Sequence, residues 1–277
     1  MERRITTITR EEIEELDLPK VLYKYRTWDT IEDKSVLKNS ELYFAPHKSF
    51  GYNSHEFEFE YDAELISDEA LYEFYYNNPE FPIESVTQRH LYALEMTRNS
   101  PFKDEEHRKS TIEEHMTILN NIHGVLSMSY SFKNNRLWRD FSNNFSGYCV
   151  GIDKEFMFKK GIIDCIAGFV DYYPLSDKPK LLPPFTKENL NSNIFTRIFK
   201  LPDKFEDEKE FRLSKMVYDG PRTYPIDHSL FMEIVLGFNM NPEHKEEIKQ
   251  IRKDKYPTSN LWEQVNNEDK ISYVKCT

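Results

Sequence analysis

From about Asp62 to Ile122 apolar side chains recur at helical spacing, whereas on either side of that stretch they alternate every second residue. The two periods place side chains differently, on one stripe of a helix or on alternate faces of a strand, so one element cannot serve both. A chain that begins in strands, leaves them for a long helical stretch and then returns must build its sheet from segments far apart in sequence. The expected class is α+β: a mixed or antiparallel β-core with a helical insertion at about 62–122, within one domain spanning 1–277.

Expected strands are "KVLYKYR", "ELYFA" (stopped by Pro46), "GVLSMSYS", "GYCVGID", "IDCIAGFVDYY" (closed by Pro174), "FEDEKEFRLSK", "MEIVLGF" and "KISYVKC". Helices are expected at Thr9–Leu16 and Thr30–Lys38, and in the insertion over "SDEALYEFYYNN", "SVTQRHLYALEMTRN" and "STIEEHMTILNNI". The last of these starts with Ser110 and Glu113 at capping-box spacing. Further helices follow over "NRLWRDFSNNF", near Ile194–Lys200, and after Asn241-Pro242, where acids precede bases in the order the helix dipole favours. "HKSFGYNSHEFEFEY" reads as an irregular loop entering a short strand, and Leu175–Asn193 as an exposed loop.

The 277 residues are 39% apolar and 31% charged, a globular rather than a disordered balance. No stretch approaches the roughly 20 apolar residues that span a bilayer, and "MERRITTITREEIEEL" lacks the apolar region of a secretion signal. Three widely spaced cysteines fit a reducing compartment and neither a disulfide scaffold nor a zinc ribbon. A cytoplasmic protein without a membrane partner is expected. The net charge of −11 argues against broad binding to nucleic acid, but leaves room for a nucleic-acid substrate in a local basic groove.

Walker, Rossmann, G-x-S-x-G and H-E-x-x-H signatures are all missing, and the histidines lack ligand spacing. Glu56, Glu58, Glu60 and Asp62 could supply carboxylates to a magnesium site, although such an acidic strand face is more often simply solvated. Three stretches carry more information. Arg26 ends "LYKYR", where its guanidinium could grip a phosphate through paired N–H groups or merely pair with a carboxylate at the sheet edge. "LSMSYS" puts Ser127, Ser129 and Ser131 on one strand face, where a ligand can approach closely and still hydrogen-bond, though serine on a solvent-facing strand is ordinary. In "FEDEKEFRLSK", Glu208 and Glu210 fall on one face about 7 Å apart, with Arg212 keeping at least one ionised. The ordinary reading of that run is a solvated ladder of charges.

Taken in chain order, an arginine strand, a serine strand and a Glu-x-Glu strand resemble the R-S-E class of NAD-dependent ADP-ribosyltransferases. The resemblance implies a β-core of that type and NAD as a substrate. Arg26 would hold the pyrophosphate with Tyr23 and Tyr25 nearby, Ser127 and Ser129 would position the nicotinamide ribose, and Trp138 or Tyr25 would cover the nicotinamide. Glu210, flanked by Phe211 and Leu213, is the expected catalytic carboxylate, with Glu208 orienting the acceptor and no metal required.

The stretches "LYKYR", "ELYFAPHKSF", "GVLSMSYSFKNNRLWRDFSNNFSGYCVGID", "DEKEFRL" and "MEIVLGF" also resemble, in order, a widespread bacterial family of unknown function found in anti-phage and abortive-infection settings. The matching positions are Tyr23, Arg26, Ser127, Ser129, Trp138, Gly147, Gly151, Asp153, Glu208, Glu210 and Arg212. Where that family carries an Asn-Asp-Pro turn, this chain has Asn53-Ser54-His55. The resemblances imply a toxin modifying RNA, DNA or protein, and leave open whether an antitoxin or a chaperone restrains it. Two other readings stand beside it: a metal-dependent nuclease or phosphodiesterase using Glu56, Glu58, Glu208 and Glu210, and a non-catalytic phage-sensing module.

Overall fold

The computed structural model describes residues 9–46, 49, 59–80, 82–160, 162–218, 220–267 and 270–276. In chain order, α1 (Arg10–Glu15), β1 (Val21–Arg26), α2 (Ile31–Lys38), β2 (Glu41–Tyr43) and β3 (Ala45–Pro46) come first. Next are α3 (Asp68–Asn77), α4 (Val86–Arg98), α5 (Glu105–Ile122), β4 (His123–Ser129), α6 (Asn135–Phe141) and β5 (Tyr148–Asp153). Then follow β6 (Ile166–Phe169), β7 (Asp171–Tyr173), α7 (Lys187–Phe199), β8 (Lys200–Pro202) and β9 (Glu210–Met216). The chain closes with β10 (Thr223–Pro225), β11 (Phe231–Leu236), α8 (Pro242–Lys255), β12 (Asn260–Asn267) and β13 (Lys270–Cys276).

These elements form two compact units. One comprises residues 1–46, 123–170 and 204–277, and the other 47–122 and 171–203. In the first, a nine-stranded sheet runs β13-β12-β11-β5-β1-β4-β9-β6, with β3 added on β4, and β10 pairs separately with β2. Only β11 and β12 pair in parallel; the other contacts of the large sheet are antiparallel. The protein is therefore α+β with a mixed, mostly antiparallel sheet.

Alternation in the central strands buries both faces. Leu22, Leu126, Met128, Val150, Ile152, Phe211 and Leu213 pack with Trp28, Phe156 and Phe231 on one side. Tyr23, Tyr25 and Cys149 pack with Trp138, Phe145 and Val235 on the other. Each fully buried side chain of this size contributes roughly 1.5–3 kcal/mol, so this double-sided layer is the main source of the unit's stability.

The second unit combines α3, α4 and α5 with the β7–β8 pair and α7. Ser67 and Ser85 cap α3 and α4, and Leu71, Tyr75 and Ala93 form the seam between those two helices. Asn193 of α7 accepts from Leu182 N–H at 2.9 Å and donates to Leu182 O at 2.8 Å, fastening the preceding segment to the helix.

Several expectations change. "ELYFA" splits into β2 and β3, and "IDCIAGFVDYY" splits into β6 and β7. The α5 helix starts at Glu105, with Asp104 accepting from His107 N–H at 2.9 Å, so Ser110 lies inside the helix and caps nothing. Thr186 starts α7 within the stretch read as loop, because its hydroxyl caps Asn189 N–H at 3.1 Å. Strand β12 had no counterpart in the sequence reading. Asn53-Ser54-His55, Glu56 and Glu58 lie outside the described residues.

Candidate functional site

The three stretches singled out in the sequence occupy adjacent strands. In register, Tyr23 of β1 faces Ser129 of β4, and Ser129 faces Glu210 of β9. Directly opposed residues of antiparallel strands point to the same face, so these three side chains form a row across the sheet. The same pairing sets Ser127 beside Arg212.

The charged face of β9 does not meet solvent. Glu210 is 6% exposed and Arg212 2%. Glu210 is held from two sides: Ser127 Oγ donates to Oε1, while Arg212 donates to Oε2 from Nε at 3.0 Å and from Nη2 at 2.6 Å. The guanidinium and the hydroxyl fix the position of the buried carboxylate from both of its oxygens.

Glu208 is placed differently from the expected strand position. Asp203–Glu208 is a 3-10 helix, and Lys209 at φ 46° reverses the chain before β9 begins at Glu210. The Glu-x-Glu pair is therefore not two rungs of one strand. It is a turn carboxylate and a ladder carboxylate brought to the same place. Residues around α6 fix the turn: Asn134 Nδ2 donates to Asp207 O, Arg136 Nη1 donates to Lys204 O, and Ser129 Oγ donates to Glu208 O at 2.9 Å. Arg136 Nε lies 3.4 Å from Glu208 Oε1 and 3.5 Å from Asp140 Oδ2. Burial, reinforced by the neighbouring Glu210 charge, pushes the Glu208 carboxyl up to about 7 despite Arg136. Glu206 is exposed, as a surface residue should be.

Where β1 meets β4, only Tyr23 and Ser129 stand in register, although β1 runs on to Arg26 beside β5. Past that pair Lys24 Nζ, rather than a backbone amide, donates to Ser127 O at 2.6 Å. A pocket opens at this gap, lined by Tyr23, Lys24, Ser127, Ser129, Glu210 and the half-exposed Phe141, among others. It measures about 300 Å³ including its mouth. About 30 Å³ of this admits solvent-sized groups, roughly the share of one water in liquid.

No family model, curated protein or solved structure matches the chain.

Not every expected residue joins this pocket. Arg26 is opposite Tyr148, on the Leu22 face of β1, and pairs with Asp33 at 3.9 Å. It stands across the sheet from the Tyr23–Ser129–Glu210 row, because residues 23 and 26 differ in parity along the strand. Trp138 is fully buried, donates from Nε1 to Phe132 O at 2.7 Å, and packs edge-on against Tyr25 at 5.2 Å. It is a core support behind Tyr25. Tyr25 lines the pocket, its hydroxyl donating to Ser131 O at 2.6 Å. Tyr23 donates to Glu233 at 2.7 Å, and its ring lies over Gly151, where a Cβ would come within 2.8 Å of it. Any side chain at Gly151 would displace this wall of the pocket.

Lys24, Leu137 and Phe141 also line the pocket, and sequence reasoning passed over all three. The signal for Lys24 was present: a charged residue inside a strand whose other interior positions are apolar or aromatic. Among the described residues no three His, Cys, Asp or Glu side chains converge as metal ligands. No helix among them is long and apolar enough to cross a membrane.

Proposed function

We propose that this chain is a cytoplasmic NAD-dependent ADP-ribosyltransferase with a β-core of the R-S-E type. It acts as an anti-phage toxin on a nucleic-acid or protein acceptor, in the anti-phage setting of the bacterial family it resembles. The observation that carries this reading is the Tyr23–Ser129–Glu210 row, with Glu210 fixed by Ser127 and Arg212 at the gap between β1 and β4.

In this reaction the bond between ribose C1′ and the nicotinamide nitrogen breaks, and its electron pair neutralises the pyridinium. The carboxylate of Glu210 stabilises the oxocarbenium character that develops on the ribose, a charge placed in advance where positive charge will appear. Ser127 and Arg212 hold it oriented. The acceptor nucleophile then bonds to C1′ and gives up its proton, and Glu208, poised near neutrality, is suited to take it. The exposed Phe141 offers an aromatic surface at the pocket, the role first expected of Trp138. The nuclease reading gains no support from these carboxylates, whose described partners are Arg136, Arg212 and Ser127.

The test is incubation of the protein with labelled NAD and a cell lysate, followed by nuclease or protease digestion of the product. Label that is transferred by the wild type and lost with Glu210→Gln supports the reading. Equal labelling by the variant overturns it.

A further inference from the structure

Lys24 brings its amino group to the pocket with no carboxylate among the described residues paired to it. Its ammonium has three donors, and a backbone carbonyl, Ser127 O at 2.6 Å, takes one of them. No carboxylate among the described residues lies within ion-pair distance of it. This separates it from the neighbouring cations, since Arg26 pairs with Asp33, Arg136 with Glu208, and Arg212 with Glu210. Removal from water, the first cause, and the like charges of Arg26 and Arg212 hold its proton affinity well below that of an ordinary lysine, against the opposing charges of Glu210 and Asp33. A bound anion would favour the protonated amine and supply the ion-pair partner that the described residues do not.

We propose that Lys24 is the anion anchor of the pocket between β1 and β4, receiving a phosphate oxygen of a pyrophosphate-bearing ligand on the donors left over from Ser127. The position fits. Lys24 shares the parity of Arg26, but its Nζ reaches Ser127 O at the gap between β1 and β4. It lines the same pocket as Ser127, Ser129 and Glu210, where the groups that would bind an attached ribose stand. The solvent space suits a single oxygen displacing a water, with the rest of the ligand in the mouth beside Phe141. The anion site stands on this geometry alone, while its identification with the pyrophosphate of NAD rests on the transferase reading.

The test uses the full chain and inorganic pyrophosphate as the probe, followed by calorimetry, with Lys24→Met as the variant. Wild type is expected to bind pyrophosphate, and Lys24→Met to bind it about 10- to 100-fold more weakly, as for loss of a charge-assisted hydrogen bond. Should Lys24→Met not fold, NMR of wild type labelled at lysine Cε decides the matter, because the Lys24 resonance must move on titration. Absence of pyrophosphate binding to the wild type, equal binding by the variant, or an unmoved Lys24 resonance each overturns the assignment. Turnover of NAD separates the two readings. Lys24-dependent pyrophosphate binding without NAD turnover supports the anchor and sinks the transferase. Turnover with the same KM in wild type and Lys24→Met does the reverse.

Discussion

Glu208 and Glu210 are two residues apart, and their surroundings differ in kind. Glu210 lies in the ladder of β9, where pairing with β4 brings Ser127 to one oxygen and Arg212, two residues along the same strand, reaches the other. Glu208 closes a 3-10 helix, faces a single arginine that it shares with Asp140, and feels the charge of Glu210. One carboxylate is held in place by donors on both oxygens, and the other is placed to exchange a proton near neutral pH. The sheet supplies the first condition and the turn supplies the second, so one short segment can carry two chemical roles.

The comparison can be broken most forcefully at Arg212. Arg212→Met leaves Glu210 buried without its partner, and is expected to cost about 3–5 kcal/mol in urea unfolding. Arg136→Met, at the turn, should cost less than half as much, and equal losses would erase the distinction. Second, Glu210→Gln should lower kcat by about 10²- to 10³-fold with melting close to that of Arg136→Met, since the amide still accepts from Arg212. Third, Ser127→Ala should cost roughly tenfold in kcat, the worth of one hydrogen bond to a charged acceptor.

Glu208 sharpens the comparison through pH. Its carboxyl is raised from 4.5 to about 7 in the fold. The folded state therefore holds the proton more tightly than the unfolded chain does. The associated stability is complete below pH about 4.5 and is lost as pH rises through about 7. Glu208→Gln should flatten the change in melting temperature across that window, and flatten the rise in transfer rate near pH 7. A profile identical to wild type would remove Glu208 from both roles. The smallest effect belongs to Tyr23→Phe, which loses the bond to Glu233 and should cost about 1 kcal/mol in the same unfolding measurement.

Much of this arrangement was legible in the sequence because alternation fixes faces. The serines of "LSMSYS" and the odd-numbered tyrosines of "LYKYR" sort correctly once β1 and β4 are adjacent. The same rule, applied strictly, already separates Arg26 from Tyr23; attention to the residue type outweighed its parity. The turn at Lys209 was not legible, since a lysine at positive φ carries no local signature and is held there by tertiary contacts. Trp138 read as a ligand-facing aromatic because sequence does not reveal that Phe132 O would receive its N–H. The late start given to α5 came from preferring a capping-box pattern at Ser110 over the simpler Asp104 cap.

The single registered pair between β1 and β4 has a mechanical consequence. The large sheet is in effect two ribbons, β13 to β1 and β4 to β6, joined by Tyr23–Ser129 and the Lys24 strap. Amides bordering this seam should exchange with deuterium sooner than those inside either ribbon, since fewer bonds must open to release them. Spreading the ribbons there would enlarge the pocket while every ladder within each ribbon stayed closed.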